Sequence, residues 1–92
     1  MYELRYHERV VHEDIPALSP EWRQRIRRAI EERLATHPDI YGKPLRRSFK
    51  GYRKLRMGDY RVIFRIERAV VKIFVIQHRS RVYITAGKRL GR

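Results

Sequence analysis

Ninety-two residues with 23 Lys/Arg, 10 Asp/Glu and no Cys suit a single domain, 1–92, and leave little room for a second core. Without cysteine there is no disulfide, thiolate metal site or Cys nucleophile. The apolar runs are too short for a signal peptide or a membrane span, so a cytoplasmic protein with no membrane partner is expected.

The alternation of Tyr2-Glu3-Leu4-Arg5-Tyr6 predicts a half-buried strand. From His7 to Leu18, Val10, Val11, Ile15 and Leu18 recur at helical spacing, and Pro16 is expected to end or distort that helix. Ser19, Pro20 and Glu21 make a helix start, with a capping hydroxyl, a pre-set φ and a carboxylate at the positive end of the dipole. Trp22, Ile26, Ala29, Ile30 and Leu34 then form one apolar stripe, and His37-Pro38 stops the helix. Residues 39–50 read as a connecting loop anchored by Leu45 and Phe49. Three strands follow, Tyr52–Met57, Tyr60–Glu67 and Val70–His78, and residues 84–92 make a short basic tail with helical potential. The order β-α-α-β-β-β predicts an α+β fold with two N-terminal helices packed on one face of an antiparallel sheet.

The net charge of +13 at pH 7 is confined to the strand-rich half. Residues 1–44 carry eight Lys/Arg and eight Asp/Glu, whereas residues 45–92 carry fifteen Lys/Arg against only Asp59 and Glu67. Such a concentration of like charge points to a polyanion as partner, nucleic acid above all. A two-residue turn at Gly58-Asp59 sets Met57 against Tyr60, Leu55 against Val62 and Arg53 against Phe64, a mostly apolar face for the helices. The opposite face then sets Arg56 against Arg61, Lys54 against Ile63 and Arg65 against Tyr52. A second turn at Arg68-Ala69 aligns Val71, Ile73 and Val75 with the core, and brings Lys72, Phe74, Ile76 and His78 to the basic face. Like charges opposed across a ladder destabilise it, so a face holding Lys54, Arg56, Arg61 and Arg65 is a candidate phosphate site.

The stretch Lys54-Leu55-Arg56-Met57-Gly58-Asp59-Tyr60-Arg61-Val62-Ile63-Phe64, followed by Val75-Ile76-Gln77-His78-Arg79-Ser80-Arg81-Val82-Tyr83, resembles the RelE/ParE superfamily of bacterial and archaeal toxins. The resemblance spans nearly the whole chain and implies a RelE-like, microbial-ribonuclease-like fold. It also implies a toxin of a type II toxin–antitoxin system with a cognate acidic antitoxin. RelE-like members cleave mRNA in the ribosomal A site without a metal or other cofactor, so ribosome and mRNA are expected partners. ParE-like members poison DNA gyrase without catalysis, and a non-toxic nucleic-acid-binding relative is a third reading.

Cleavage by attack of the 2′-OH on the adjacent phosphate needs a base, positive charge on the phosphorane, an acid for the leaving oxygen and in-line geometry. By resemblance, Lys54 and Arg61 match basic active-site positions: Arg61 for transition-state charge, Lys54 as a second clamp or as the base. His78 and Tyr83 are the candidate proton handlers, and Arg56, Arg65, Arg79 and Arg81 the candidate phosphate contacts. Some relatives carry a carboxylate base just before the central strands, where this chain reads Leu45-Arg46-Arg47-Ser48-Phe49-Lys50. Structural readings stand beside these: Arg56 bracing the hairpin, His78 as a polar strand end, Tyr83 plugging the sheet edge. The tail cations Lys88, Arg89 and Arg92 are either a ribosome contact or disordered charge. His7, His12 and His37 have no metal-ligand spacing.

Overall fold

The chain enters the sheet at its edge. In the computed structural model, which describes residues 1–91, β1 (Glu3–Tyr6) pairs with β5 (Val70–His78) from Glu3↔Val70 to Tyr6↔Ile73. That pairing is parallel, so the sheet is mixed and not the antiparallel one expected. The intervening elements form the long crossover that a parallel neighbour requires.

The first helix, α1, covers residues 8–17 and holds one widened turn over Val10–Asp14, where the Ile15 N–H reaches back five residues to the Val10 carbonyl. Pro16 explains it. Proline has no N–H for the carbonyl four residues back and its ring presses on that carbonyl, so the turn opens without breaking the helix. The second helix, α2, covers residues 20–34, regular over Pro20–Ala29 and widened over Ile30–Leu34. It starts where the sequence predicts: the Ser19 hydroxyl accepts the Trp22 N–H at 3.4 Å. The stretch expected as plain loop is more ordered than that. It contains the short helix α3 (Pro38–Tyr41), the two-residue strand β2 (Lys43–Pro44) and a single tight turn over Arg47–Phe49.

Strands β3 (Arg53–Met57) and β4 (Tyr60–Glu67) pair with Met57↔Tyr60, Leu55↔Val62 and Arg53↔Phe64, as expected. The five strands lie in the order β1-β5-β4-β3-β2. Against β5 the register differs. Ile63 pairs with Val75 but Phe64 with Ile73, so Phe74 is an extra residue in a β-bulge, and a bulge reverses which face the later residues take. Ile76 therefore lies with Val62 on the face under α1 and α2, and His78 lies beside Tyr60. Neither is on the basic face where simple alternation put them, and Val75 is not under α1 and α2.

Two cores result. Leu55, Val62, Phe64, Val71, Ile73 and Ile76 are buried against Val10, Leu18, Ile26, Ile30 and Leu34. On the other face Tyr52, Ile63 and Val75 are buried against Val82 and Ala86 of the last helix, α4 (Val82–Arg89). The expected tail is thus largely a helix that covers the second sheet face; Arg92, its last cation, lies outside the described residues. Among these residues no helix is long and apolar enough to cross a membrane.

Candidate functional site

Arg61 is turned back onto its own hairpin. It is 9% exposed, and its Nη1 donates to the carbonyls of Gly58 and Tyr60, both at 2.8 Å. The bracing role open to Arg56 from sequence is performed by Arg61, while Arg56, its cross-strand partner, is exposed. Gly58 permits the turn with φ of 58°, and a β-carbon there would stand 2.8 Å from the Trp22 ring.

His78 forms an edge-on ring contact with Tyr60, centroids 5.8 Å apart. Its Nδ1 accepts the Ser80 N–H at 3.1 Å and lies 2.9 Å from the Ser80 hydroxyl, so the neutral ring carries its proton on Nε2. Arg79 and Arg65 each meet an acid: Arg79 lies 3.7 Å from Asp59, and Arg65 lies 3.2 Å from Glu67 with its guanidinium over the Tyr52 ring. The Glu67 carboxyl is held below its ordinary range, first by its hydrogen bond to Lys72. Arg81 is exposed at the start of α4, its N–H on the His78 carbonyl at 2.9 Å.

Lys54 and Tyr83 do come together. Strand alternation points Lys54 to the α4 side, and Val82, anchored in the second core, leaves the next residue at the rim. The Lys54 ammonium stands 6.0 Å from the Tyr83 ring centroid, and the Phe49 ring is 6.4 Å from the same ring. Tyr83 is 37% exposed. Lys43 lies directly across from Lys54, and Arg46, Arg47 and Lys50 project from the neighbouring loop, all exposed. That loop is pinned by Leu45 and Phe49, which pack on the second core, and Arg47 holds a left-handed φ of 58°. Among the described residues none of these five cations, nor Arg81, forms an ion pair. Cations that no described carboxylate pairs with, set around a partly exposed ring, can hold phosphate and stack a base. Among the described residues no group of three or more His, Cys, Asp or Glu is placed to hold a metal.

Sequence reasoning missed a buried polar link between α1, β5 and α4. Asp14, 2% exposed, accepts from the Ile76 N–H at 2.9 Å and from Gln77 Nε2 at 3.0 Å. It also accepts from Arg89, Nη1 at 2.7 Å and Nη2 at 3.2 Å. Arg89, far from being a disordered tail cation, has a side chain only 3% exposed and also donates to the Phe74 carbonyl at 2.9 Å. The signal was available: Val10, Asp14 and Leu18 share one helical face, which puts a carboxylate in an apolar stripe.

A family model for the ParE toxin of type II toxin–antitoxin systems, parDE, matches residues 4–83. The toxin–antitoxin complex RelBE2 from Mycobacterium tuberculosis contains a chain with 30% identity and a TM-score of 0.79, over 86% of this chain and 92% of that one. The isolated RelE toxin of E. coli aligns at 22% identity and a TM-score of 0.69, over 98% of this chain and 99% of that one. A RelB–RelE complex from Methanococcus jannaschii aligns at 20% identity and 0.68, over 86% and 94%. The last two likenesses speak for the fold. Comparison with curated protein sequences finds no match.

Proposed function

The chain belongs to the ParE toxin family of type II toxin–antitoxin systems, and from that premise we propose that it is a RelE-like endoribonuclease. In this reading one toxin domain over residues 1–92 cuts mRNA on the ribosome in the cytoplasm, needing no metal, by attack of a 2′-OH on the adjacent phosphate. The observation that carries it is the cluster of cations without a described ion-pair partner in which the Lys54 ammonium stands 6.0 Å from the Tyr83 ring centroid. Lys54 stabilises charge on the phosphorane, worth about 10²–10³ in rate for one well-placed donor. Tyr83 stacks a base with its ring and gives its proton to the leaving 5′-oxygen. Arg81 and the Arg46-Arg47-Lys50 loop hold flanking phosphates. Arg61 holds the β3–β4 hairpin and hence the strand that carries Lys54. With no carboxylate among these residues, the proton of the attacking 2′-OH passes to solvent water, and the rate comes from electrostatics and positioning.

The test is cleavage of a programmed ribosome's mRNA. Lys54→Met is expected to lower the rate by about 10²-fold or more, and Tyr83→Phe, which keeps the ring, by about 10²-fold if the hydroxyl is the acid. Intact mRNA with the wild-type chain, under conditions where its expression halts growth, would refute the proposal.

A second reading, a non-catalytic toxin acting on DNA gyrase, is favoured by one observation: Arg61 is spent on the hairpin and His78 faces Tyr60, so the four catalytic candidates do not converge. DNA cleaved after induction, undiminished by Tyr83→Phe, would identify that activity. In either case an acidic antitoxin is the expected partner, since the chain's solved relatives include toxins bound to their antitoxins. The unpaired cations give such a segment charge-assisted contacts that offset its ordering.

A further inference from the structure

The buried carboxylate of Asp14 has no part in the chemistry above, yet it joins three elements. It belongs to α1, bonds the Ile76 N–H of β5, and pairs with Arg89 in the last turn of α4. A second branch runs from Asp14 through Gln77: Nε2 donates to Asp14 at 3.0 Å, and Oε1 accepts from the Thr85 hydroxyl at 2.5 Å. Asp14 therefore grips α4 at two points, Thr85 and Arg89, on either side of the apolar anchor Ala86. Beyond Tyr6↔Ile73 the outer edge of β5 has lost β1 as its neighbour, and Asp14 supplies the acceptor that a strand would have supplied.

A buried ion pair is weak as a source of stability, because desolvation consumes most of the Coulomb gain. The Arg89 Nε, buried with no partner among the described residues, adds to that cost. What such a network does supply is direction. The apolar anchors of α4 are small, Val82 and Ala86 with Leu90 partly buried, and small side chains fix neither the rotation nor the axial position of a helix well. Two bonds from Arg89 to this carboxylate, and the Thr85 bond to Gln77 that the same carboxylate holds, fix both. Tyr83 lies two residues from Thr85 on this helix, and its ring must meet Lys54 on β3.

We propose that Asp14 is a positioning residue for the Lys54–Tyr83 site, setting through Arg89 and the Gln77–Thr85 branch how α4 is seated and hence where the Tyr83 ring stands. The proposal rests on the nuclease reading for its kinetic consequence but not for its structural one. A misplacement of the order of 1 Å can cost about 10²-fold in rate.

The experiment uses the full chain with Asp14→Asn, which keeps the shape and the Ile76 acceptor, removes the nearer of the two charges that Arg89 pairs with (Glu13, at 3.7 Å, is the other), and turns the oxygen facing Gln77 into a donor. Thr85→Val is the milder variant, cutting only the second branch. The ring-current shift of the Lys54 side-chain protons, read by NMR, reports the Tyr83 ring directly. Asp14→Asn is expected to abolish most of that shift and to lower kcat by about tenfold or more, with little change in KM. In a Tyr83→Ala background the same substitution is expected to cost nothing further, which a merely structural role would not produce. Thr85→Val moves both readouts the same way by a smaller amount, and decides the matter if Asp14→Asn does not fold. An unchanged ring-current shift in a folded variant overturns the proposal. Normal cleavage by Tyr83→Ala alone would refute the nuclease reading of the site, and the ring-current arm would still decide the positioning role.

Discussion

Arg61 donates through one nitrogen to two carbonyls, those of Gly58 and Tyr60, and both would lose a charged donor in Arg61→Ala. Charge-assisted bonds of this kind contribute about 1.5–3 kcal/mol. Arg61→Ala is therefore expected to lower the urea midpoint by a corresponding amount with an unchanged m-value. Arg61→Lys recovers only part, because a point charge on a flexible stem does not reproduce the guanidinium fork. An unchanged midpoint together with lost cleavage would instead make Arg61 a transition-state group. The register opposing Arg61 to Arg56 was legible from Gly58-Asp59 alone. The use of Arg61 was not, since strand periodicity gives the face on which a long side chain starts and not where its head ends. Tyr6 offers a second residue-scale test. Burial lifts its phenol above the ordinary value, with Glu31 adding to the effect and Arg27 opposing it. The folded state thus holds the proton more tightly than the unfolded one, so this contribution is fully present below about pH 10 and lost as pH rises beyond it. Tyr6→Phe is expected to flatten the alkaline fall in stability; an identical fall in both proteins would contradict that assignment.

At the level of elements, the β3–β4 hairpin is held at its tip by α2 as well as by Arg61. A β-carbon on Gly58 would stand 2.8 Å from the Trp22 ring, and the backbone there has φ of 58°. Gly58→Ala meets strain and a clash together, and is expected to cost about 1–3 kcal/mol. Thermal unfolding reads the loss, and the emission of Trp22, the one tryptophan, reports whether the contact moved. An unchanged melting temperature would mean that the hairpin tip is not packed as described. The Gly58 turn was readable in the chain because few residues accept its positive φ. The second hairpin falls at the expected Arg68-Ala69, where Arg68 takes φ of 56° without being glycine, so there the flanking strand pattern and not turn chemistry gave the position. The bulge at Phe74 was not readable. Val70-Val71-Lys72-Ile73-Phe74-Val75-Ile76 is apolar at both parities, because both faces of β5 are covered, so alternation carried no information about a one-residue slip. The same fact hid α4. A strand apolar on both sides implies a second covering layer, and Val82, Ala86 and Leu90 at spacing of four were there to supply it.

For the molecule as a whole, the charge of +13 overstates how much cation is available to a polyanion, because the structure divides the basic residues into paired and unpaired sets. Arg5, Arg9 and Arg25 lie within ion-pair distance of Glu3, Glu13 and Glu21. Arg46, Arg47 and Lys50, exposed beside the Lys54–Tyr83 site, have no such neighbours among the described residues. The half that carries the excess was legible in the order of residues, and the fold narrows it to one loop and one strand edge. Binding of a short single-stranded RNA, followed by fluorescence anisotropy across a salt series, separates the two sets at equal change in net charge. Each phosphate neutralised by the protein contributes about 0.7 to the slope of log K against log salt for a single strand. The triple replacement of Arg46, Arg47 and Lys50 by Gln is thus expected to reduce that slope by about 2. The same replacement of Arg5, Arg9 and Arg25 removes as many charges yet leaves the slope nearly unchanged, since those guanidiniums already face carboxylates. Equal reductions from the two triple variants would show that RNA is held by net charge alone; an effect confined to the loop would place the phosphate track beside Tyr83.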